Sequence, residues 1–377
     1  MQENRSGNPC KPVLMLPDWR RGNPYQDRLA EGIVRQGVEV RFADYPVARL
    51  PLVAASKQLE RPAVIHLHWV TDYLAPAFWA RSPVWAWLRL TVIVLDVWLV
   101  RRSGIPVVWT VHNLLSHESP DRSREVRARR WLARAVSHLI FHSEAAREQV
   151  QGLLALDVRK KSSIVPHGHY LGMYPPNEQR ERELRDLLRL RPDDSVVLFF
   201  GRIRRYKGVW RLVEALAMNP DPRLKLIIAG KPQDQDTAAE LTRAAACDDR
   251  IRLQLGFVAD KDVHPMHAIS NLVAVPFEKT LTSGSAILAL SMGRALLLPT
   301  AARVIGLPSD AGVHYFDDVE GLARAMSLGD KAQLETQGCR NLEIARDLDW
   351  GGIGASVARI YRRLLGPSRP FGGSERQ

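Results

Sequence analysis

A chain of 377 residues has room for two domains, each with its own hydrophobic core. Its 53 lysines and arginines against 41 acidic residues leave a formal charge of +12, which suits polyanionic partners: nucleotide phosphates, nucleic acid or an acidic membrane surface. Three widely separated cysteines without CxxC or histidine-paired spacing exclude a disulfide framework and a zinc module, and fit a reducing cytoplasm.

The N-terminal MQENRSGNPCKP has no apolar segment of the signal-peptide kind, so export is not expected. Residues 12–16 form a short apolar run, the loop PDWRRGNPY follows, 26–36 carry a helical pattern and 38–42 a second strand. This opening places Asp18, Trp19, Arg20, Arg21 and Gly22 at the mouth of a parallel sheet. In the strand AVIHLHW at 63–69, His66 and His68 share one face, and with no third ligand in view packing is favoured over a metal pair. The most hydrophobic stretch, 84–100, has 17 residues with Arg89 and Asp96 among them. It falls short of the roughly 20 residues a spanning helix needs. Arg89 and Asp96 are expected on one polar stripe of a helix that is either a core element or partly in a membrane interface.

Residues 105–111 are a further strand, ending in HNLLSHES. His112, His117 and Glu118 thus stand on a loop at a strand's carboxyl end, where a histidine near its ordinary pKa can accept a proton. The next helical pattern carries Arg122, Arg127, Arg129, Arg130 and Arg134, expected on solvated faces, and Trp131 beside them gives it a membrane-surface character. Strands at 139–141 and 163–165, the latter ending in PHGHY, complete the first half.

The segment 174–194, rich in Pro, Glu and Arg, is the expected boundary, giving an N-terminal domain over 1–175 and a C-terminal domain with the terminal helix over 176–377. The second half repeats the strand and helix alternation, with strands at 196–200, 225–229, 251–255, 272–275 and 295–298. The fold class is α/β with two Rossmann-like domains. In VVLFFGRIRRYKG a buried strand ends at Gly201 and is followed by Arg202, Arg204, Arg205 and Lys207; Val209, Leu212, Val213 and Leu216 then mark a helix. Cations outside the carboxyl end of a parallel strand suit a phosphate or diphosphate. In PFEKTLTSGSAILALSMG, Ser283, Gly284 and Ser285 open a helix whose free N–H groups suit a second phosphate contact.

Together these motifs resemble a known family. GRIRRYKGVWRLVEAL is similar to the GRxxxxKGxxxLxxA signature of nucleotide-sugar glycosyltransferases of the GT-B fold, in which two Rossmann-like domains face each other across a cleft. NPYQ, HLHW, TVHNLLSHE, PHGHY and SGSAILALSMGRALLLP resemble landmarks of bacterial exopolysaccharide glycosyltransferases, the group with the xanthan-type GDP-mannose:glycolipid β-1,4-mannosyltransferase. The large retaining family with the same basic loop carries two glutamates eight positions apart. Here Thr280 pairs with Leu288 and Glu278 with Ala286, so the resemblance favours the inverting group.

The resemblance implies that Arg202 and Lys207 hold the donor diphosphate, that Ser283, Gly284 and Ser285 hold its phosphates, and that Glu278 and Lys279 meet the nucleoside or sugar. It places the acceptor near Asp18, His112 and Glu118; His112 is preferred as base because it comes directly after the strand, where its backbone is better fixed than that of Glu118 six residues into the loop. No metal is expected, because two cations and a helix terminus can stabilise the leaving diphosphate and no DxD-like motif stands at the donor site. The expected activity is inverting transfer of a sugar, best matched by mannose from GDP-mannose, onto a lipid-linked saccharide by a cytoplasmic enzyme at an anionic membrane surface. A UDP-sugar donor is the alternative within enzymes. A basic nucleic-acid-binding protein is the alternative outside them, and no finger, homeodomain or RNA-recognition pattern supports it.

Overall fold

The structure, a computed structural model, describes residues 11–59, 61–116, 119–277, 280–327 and 330–366. The chain divides into two compact units, one made of 1–168 with 349–377 and the other of 169–348.

In the first unit β1 (Val13–Leu16), β2 (Val40–Phe42), β3 (Val64–Leu67), β4 (Val107–Thr110), β5 (His138–Phe141) and β6 (Ser162–Ile164) pair in parallel in the order β2-β1-β3-β4-β5-β6. β1, β3, β4 and β5 are buried along their whole length, which is why they read as nearly unbroken apolar runs. The chain leaves β1 for β2 on one side and returns to β3 on the other, so the strand order reverses between β1 and β3. Open α/β sheets bind ligands in the crevice outside the carboxyl ends at such a reversal.

The second unit repeats this plan with β7 (Ser195–Phe200), β8 (Leu224–Gly230), β9 (Ile251–Leu255), β10 (Leu272–Ala274), β11 (Ala295–Pro299) and β12 (Val313–Phe316). The order is β12-β11-β10-β7-β8-β9, all parallel, with the reversal between β7 and β10. Val197 and Phe199 point into one core and Val196 and Leu198 into the other, so both faces of the sheet are covered. The edge strand β12 is missing from the sequence expectations; its VHYF is only partly buried and lacks the continuous apolar run of its neighbours.

Two expectations are corrected here. The boundary at 175/176 falls inside the second unit, and the terminal helix Trp350–Leu365, expected in the second domain, belongs to the first. Its Trp350, Ile353, Val357, Ala358 and Tyr361 join Val13, Met15, Leu29 and Ile33 in one cluster. Gly32 and Gly354 let this helix and the helix Tyr25–Val34 meet backbone to backbone, since a Cβ on either would run into the other. The second correction concerns the helix Pro83–Arg102. Arg89 is exposed, whereas Asp96 is fully buried and accepts hydrogen bonds from Leu52 N (2.9 Å), Val53 N (3.0 Å) and Tyr73 Oη (3.1 Å). Asp96 therefore satisfies free N–H groups at the start of the helix Pro51–Gln58. The helix is 20 residues long and, by length and composition, could cross a membrane. Asp96 and the buried Leu90, Ile93, Val97 and Val100 bind one side of it into the first unit.

Candidate functional site

In the second unit the basic loop after β7 and the serine-rich turn before the helix Gly284–Ser291 come together at the strand-order reversal. A Cβ built on Gly201 would lie 3.7 Å from Ser285 Oγ and 3.8 Å from Lys207 Nζ, so the end of β7, the lysine and the serine share one small volume. Gly208, at φ +73°, closes the loop in a left-handed turn against Pro276, and a Cβ there would stand 2.6 Å from the Pro276 carbonyl oxygen. That close approach binds the basic loop to the segment after β10. Lys207 Nζ lies 5.3 Å from the Phe277 ring centroid, and burial, with Arg202 and Arg204 adding to it, pulls its pKa down to about 8. Arg202 is exposed and makes no ion pair among the described residues.

Ser283 is the N-cap of the helix, its Oγ accepting from Ala286 N at 3.2 Å. The cap uses the Ser283 oxygen as acceptor and takes up the Ala286 N–H, so the donors suited to an anion here are the Ser283 and Ser285 hydroxyls and the N–H groups of Gly284 and Ser285. Tyr170 stands behind this turn: its Oη is 3.1 Å from where a Gly284 Cβ would be, and its N–H donates to Ser291 Oγ at 2.9 Å. Thr282 Oγ1 is buried without a hydrogen-bond partner among the described residues.

The first unit carries a cluster of imidazoles at the carboxyl ends of its strands. His68 follows β3, His112 follows β4, His142 follows β5 and His167 follows β6, and the Tyr25 ring touches all four, with centroids 4.9 to 5.9 Å away. His142 Nδ1 lies 2.9 Å from the Val165 carbonyl oxygen and must donate to it, leaving its Nε2 as an acceptor. His112 Nδ1 then donates to His142 Nε2 (3.4 Å), and His68 Nδ1 donates to His112 Nε2 (3.1 Å). One carbonyl sets three tautomers. The chain ends at His68 Nε2, buried and unpartnered among the described residues. His66 is bound on both sides, to Tyr361 Oη (2.6 Å) and Thr110 Oγ1 (2.7 Å), which is the packing role favoured over a metal pair.

The expectation of a His112 near its ordinary pKa is corrected by this network. Burial, with His142 and His167 adding to it, holds His112 well below 6.5, and both its nitrogens are engaged. Asp18 forms a two-pronged pair with Arg20, 2.8 Å from both Nε and Nη2, and this pair lowers its pKa. Arg129, expected on a solvated face, is buried beside a buried Glu125 at 2.8 Å. The pair reaches the loop after β4: Glu125 accepts from Ser116 N (2.7 Å) and Arg129 donates to the Asn113 carbonyl (3.2 Å).

Two family models cover most of this architecture, one described as Glycosyltransferase Family 4 over residues 8–171 and one as Glycosyl transferases group 1 over 180–290. A GDP-mannose:glycolipid 4-beta-D-mannosyltransferase of Xanthomonas campestris pv. campestris is 28% identical over 353 residues, covering 91% of this chain and 89% of that protein. HepE from Anabaena, solved with UDP, superposes with a TM-score of 0.69 at 17% identity, over 93% of this chain and 99% of that one. A sucrose-phosphate synthase from Thermosynechococcus elongatus superposes with a TM-score of 0.72 at 18% identity, over 94% and 99%. The chain is a GT-B glycosyltransferase.

In this glycosyltransferase Arg202, Lys207, Ser283, Gly284 and Ser285 all lie around the reversal between β7 and β10. Asp18 and His112 lie on loops after β1 and β4. Glu118, Glu278 and Lys279 lie outside the described residues. Sequence reasoning missed Thr282, Tyr170 and His267. The last is buried with its ring 4.8 Å from Phe200, and its Nε2 has no partner among the described residues. A hydroxyl beside Ser283 was a legible signal for Thr282; the two histidines in DKDVHPMHA, three residues apart on a helical pattern, offered none that singled out His267.

Proposed function

We propose that this glycosyltransferase moves mannose from GDP-mannose, with inversion, onto a lipid-linked saccharide in exopolysaccharide synthesis. The observation that carries the donor half is the convergence of Lys207, Ser285 and Gly201 at the sheet reversal, with Arg202 beside them. As the anomeric bond breaks, the leaving diphosphate gains charge, and two cations with a helix N-terminus stabilise it without a metal. Rates unchanged by EDTA check that part. The Xanthomonas relative, whose name specifies GDP-mannose, glycolipid and a β product, supports the choice of donor, acceptor and stereochemistry.

The acceptor is assigned to the first unit, with its base on a loop at the sheet's carboxyl edge. Asp18 is paired and His112 engaged on both nitrogens, so Glu118 is the base to test first, with Asp18 and His112 after it. The enzyme is assigned to the cytoplasmic side of an anionic membrane. Support comes from the exposed Trp79 (59%), Trp85 (57%) and Trp98 (54%), and from a groove of about 520 Å³ lined by Trp79, Arg81, Trp85 and Arg89.

The test has two arms. Thermal unfolding with GDP and with UDP compares donors, a ligand at 100 times its Kd stabilising by about 2.7 kcal/mol; a shift with UDP alone overturns the GDP assignment. Proton NMR of the product from an α-linked donor then reads the anomer. An α product overturns inversion.

A further inference from the structure

We propose that Trp19 is a stacking platform for a pyranose ring of the acceptor, an assignment that rests on the first unit being the acceptor half. Its indole is 41% exposed, and one face is covered by Trp69, with centroids 4.8 Å apart and planes 15° from parallel. Trp69 in turn stacks on His112 at 4.5 Å and 14°. Three nearly parallel rings thus run from a buried imidazole out to an exposed indole. Trp19 follows β1 and Trp69 follows β3, so the stack stands at the strand-order reversal of the first sheet.

The platform is held rigid by its surroundings. Gln26 is fully buried and spans the loop, its Oε1 accepting from Trp19 N at 2.8 Å and its Nε2 donating to the Pro17 carbonyl at 2.8 Å. Arg20 lies over the Phe42 ring, 4.0 Å from its centroid, while paired with Asp18. An exposed indole, stacked on one face and flanked by a carboxylate and a guanidinium, matches a sugar, which offers polarised C–H groups on one face and hydroxyls around its rim. The negative face of the indole attracts the C–H groups, and Asp18 and Arg20 can accept from and donate to the hydroxyls. A nucleobase also stacks on indole, but the cations suited to its diphosphate lie in the second unit.

The experiment uses the full chain and methyl β-cellobioside, whose rings carry axial C–H groups on both faces. Saturation-transfer NMR is expected to show transfer to the axial ring protons with the unaltered enzyme. Trp19→Ala should weaken the affinity about threefold to tenfold, and Trp19→Phe should keep part of it. The thermal shift with GDP should be the same in all three proteins, which certifies the fold and the donor half. Equal cellobioside binding by Trp19→Ala overturns the platform, and so does the absence of transfer to the unaltered enzyme. A folded Trp19→Ala that loses the GDP shift also overturns it, by assigning the ring to the nucleotide. If neither GDP nor UDP shifts the unaltered enzyme while cellobioside binding depends on Trp19, the proposed donor chemistry falls and the platform stands.

Discussion

Lys207 binds an anion only while it keeps its proton, and in the free enzyme burial has brought its pKa down to about 8. A bound diphosphate favours the charged form, so the donor and the proton bind together. As pH rises above about 8, kcat/KM for the donor should therefore fall. Lys207→Arg should remove this alkaline limb, because a guanidinium stays protonated. Lys207→Ala and Arg202→Ala should each lose about tenfold to a hundredfold in kcat/KM, a charge-assisted bond to phosphate being worth about 1.5–3 kcal/mol. Initial rates at varied donor concentration measure both effects. For the proton acceptor, Glu118→Gln is expected to lower kcat by about 10²–10⁴ with donor affinity unchanged, and a variant that keeps its rate returns the role to Asp18 or His112. The two cations were legible because they stand in one loop after a buried strand. The state of His112 was not, because it depends on His68 and His142, which arrive from two other strands.

Among the elements, the arginine-rich helix Arg122–Ala135 shows where a charge pattern misleads. Glu125 and Arg129 are four residues apart on the side of Ala128 and Leu132, and they turn inward to hold the loop 113–116. Glu125→Ala leaves Arg129 buried without its partner and should cost about 3–5 kcal/mol of stability, read from urea unfolding. The helix Pro83–Arg102 presents the opposite case, a hydrophobic run with its tryptophans outside. Trp85, Trp87 and Trp98 are exposed, and Arg127 lies 5.5 Å from the Trp87 ring centroid. Aromatic rings beside cations suit the headgroup region of an anionic bilayer. Trp85→Ser with Trp98→Ser should reduce sedimentation with anionic liposomes at low salt while leaving thermal unfolding unchanged. Equal sedimentation would remove these tryptophans as the docking surface.

Across the whole molecule, the buried histidines make stability depend on pH. His66 and His167 have pKa values lowered to about 3 and His142 to about 4, chiefly by burial. The unfolded chain, with histidines near 6.5, binds more protons as pH falls. Their contribution is thus complete above about pH 6.5 and is lost progressively toward pH 4 and 3, about 1 kcal/mol per histidine at each of the first units below 6.5. Thermal unfolding between pH 7.5 and 5 should show a falling midpoint, and replacing His142 with Gln should flatten the slope. By itself, the sequence determined the two α/β units and the phosphate-suited loops. A strand buried on both faces must be a continuous apolar run, and the glycines and cations that follow it sit in the same short stretch. Only the tertiary structure decided that the chain returns after Asp349 to complete the first core, that Asp96 and Arg129 turn inward, and that Trp19 stacks on Trp69 over His112. Hydrophobic periodicity encodes that a face is buried and leaves open which distant element covers it. The protonation state and partners of each buried group follow from that second fact.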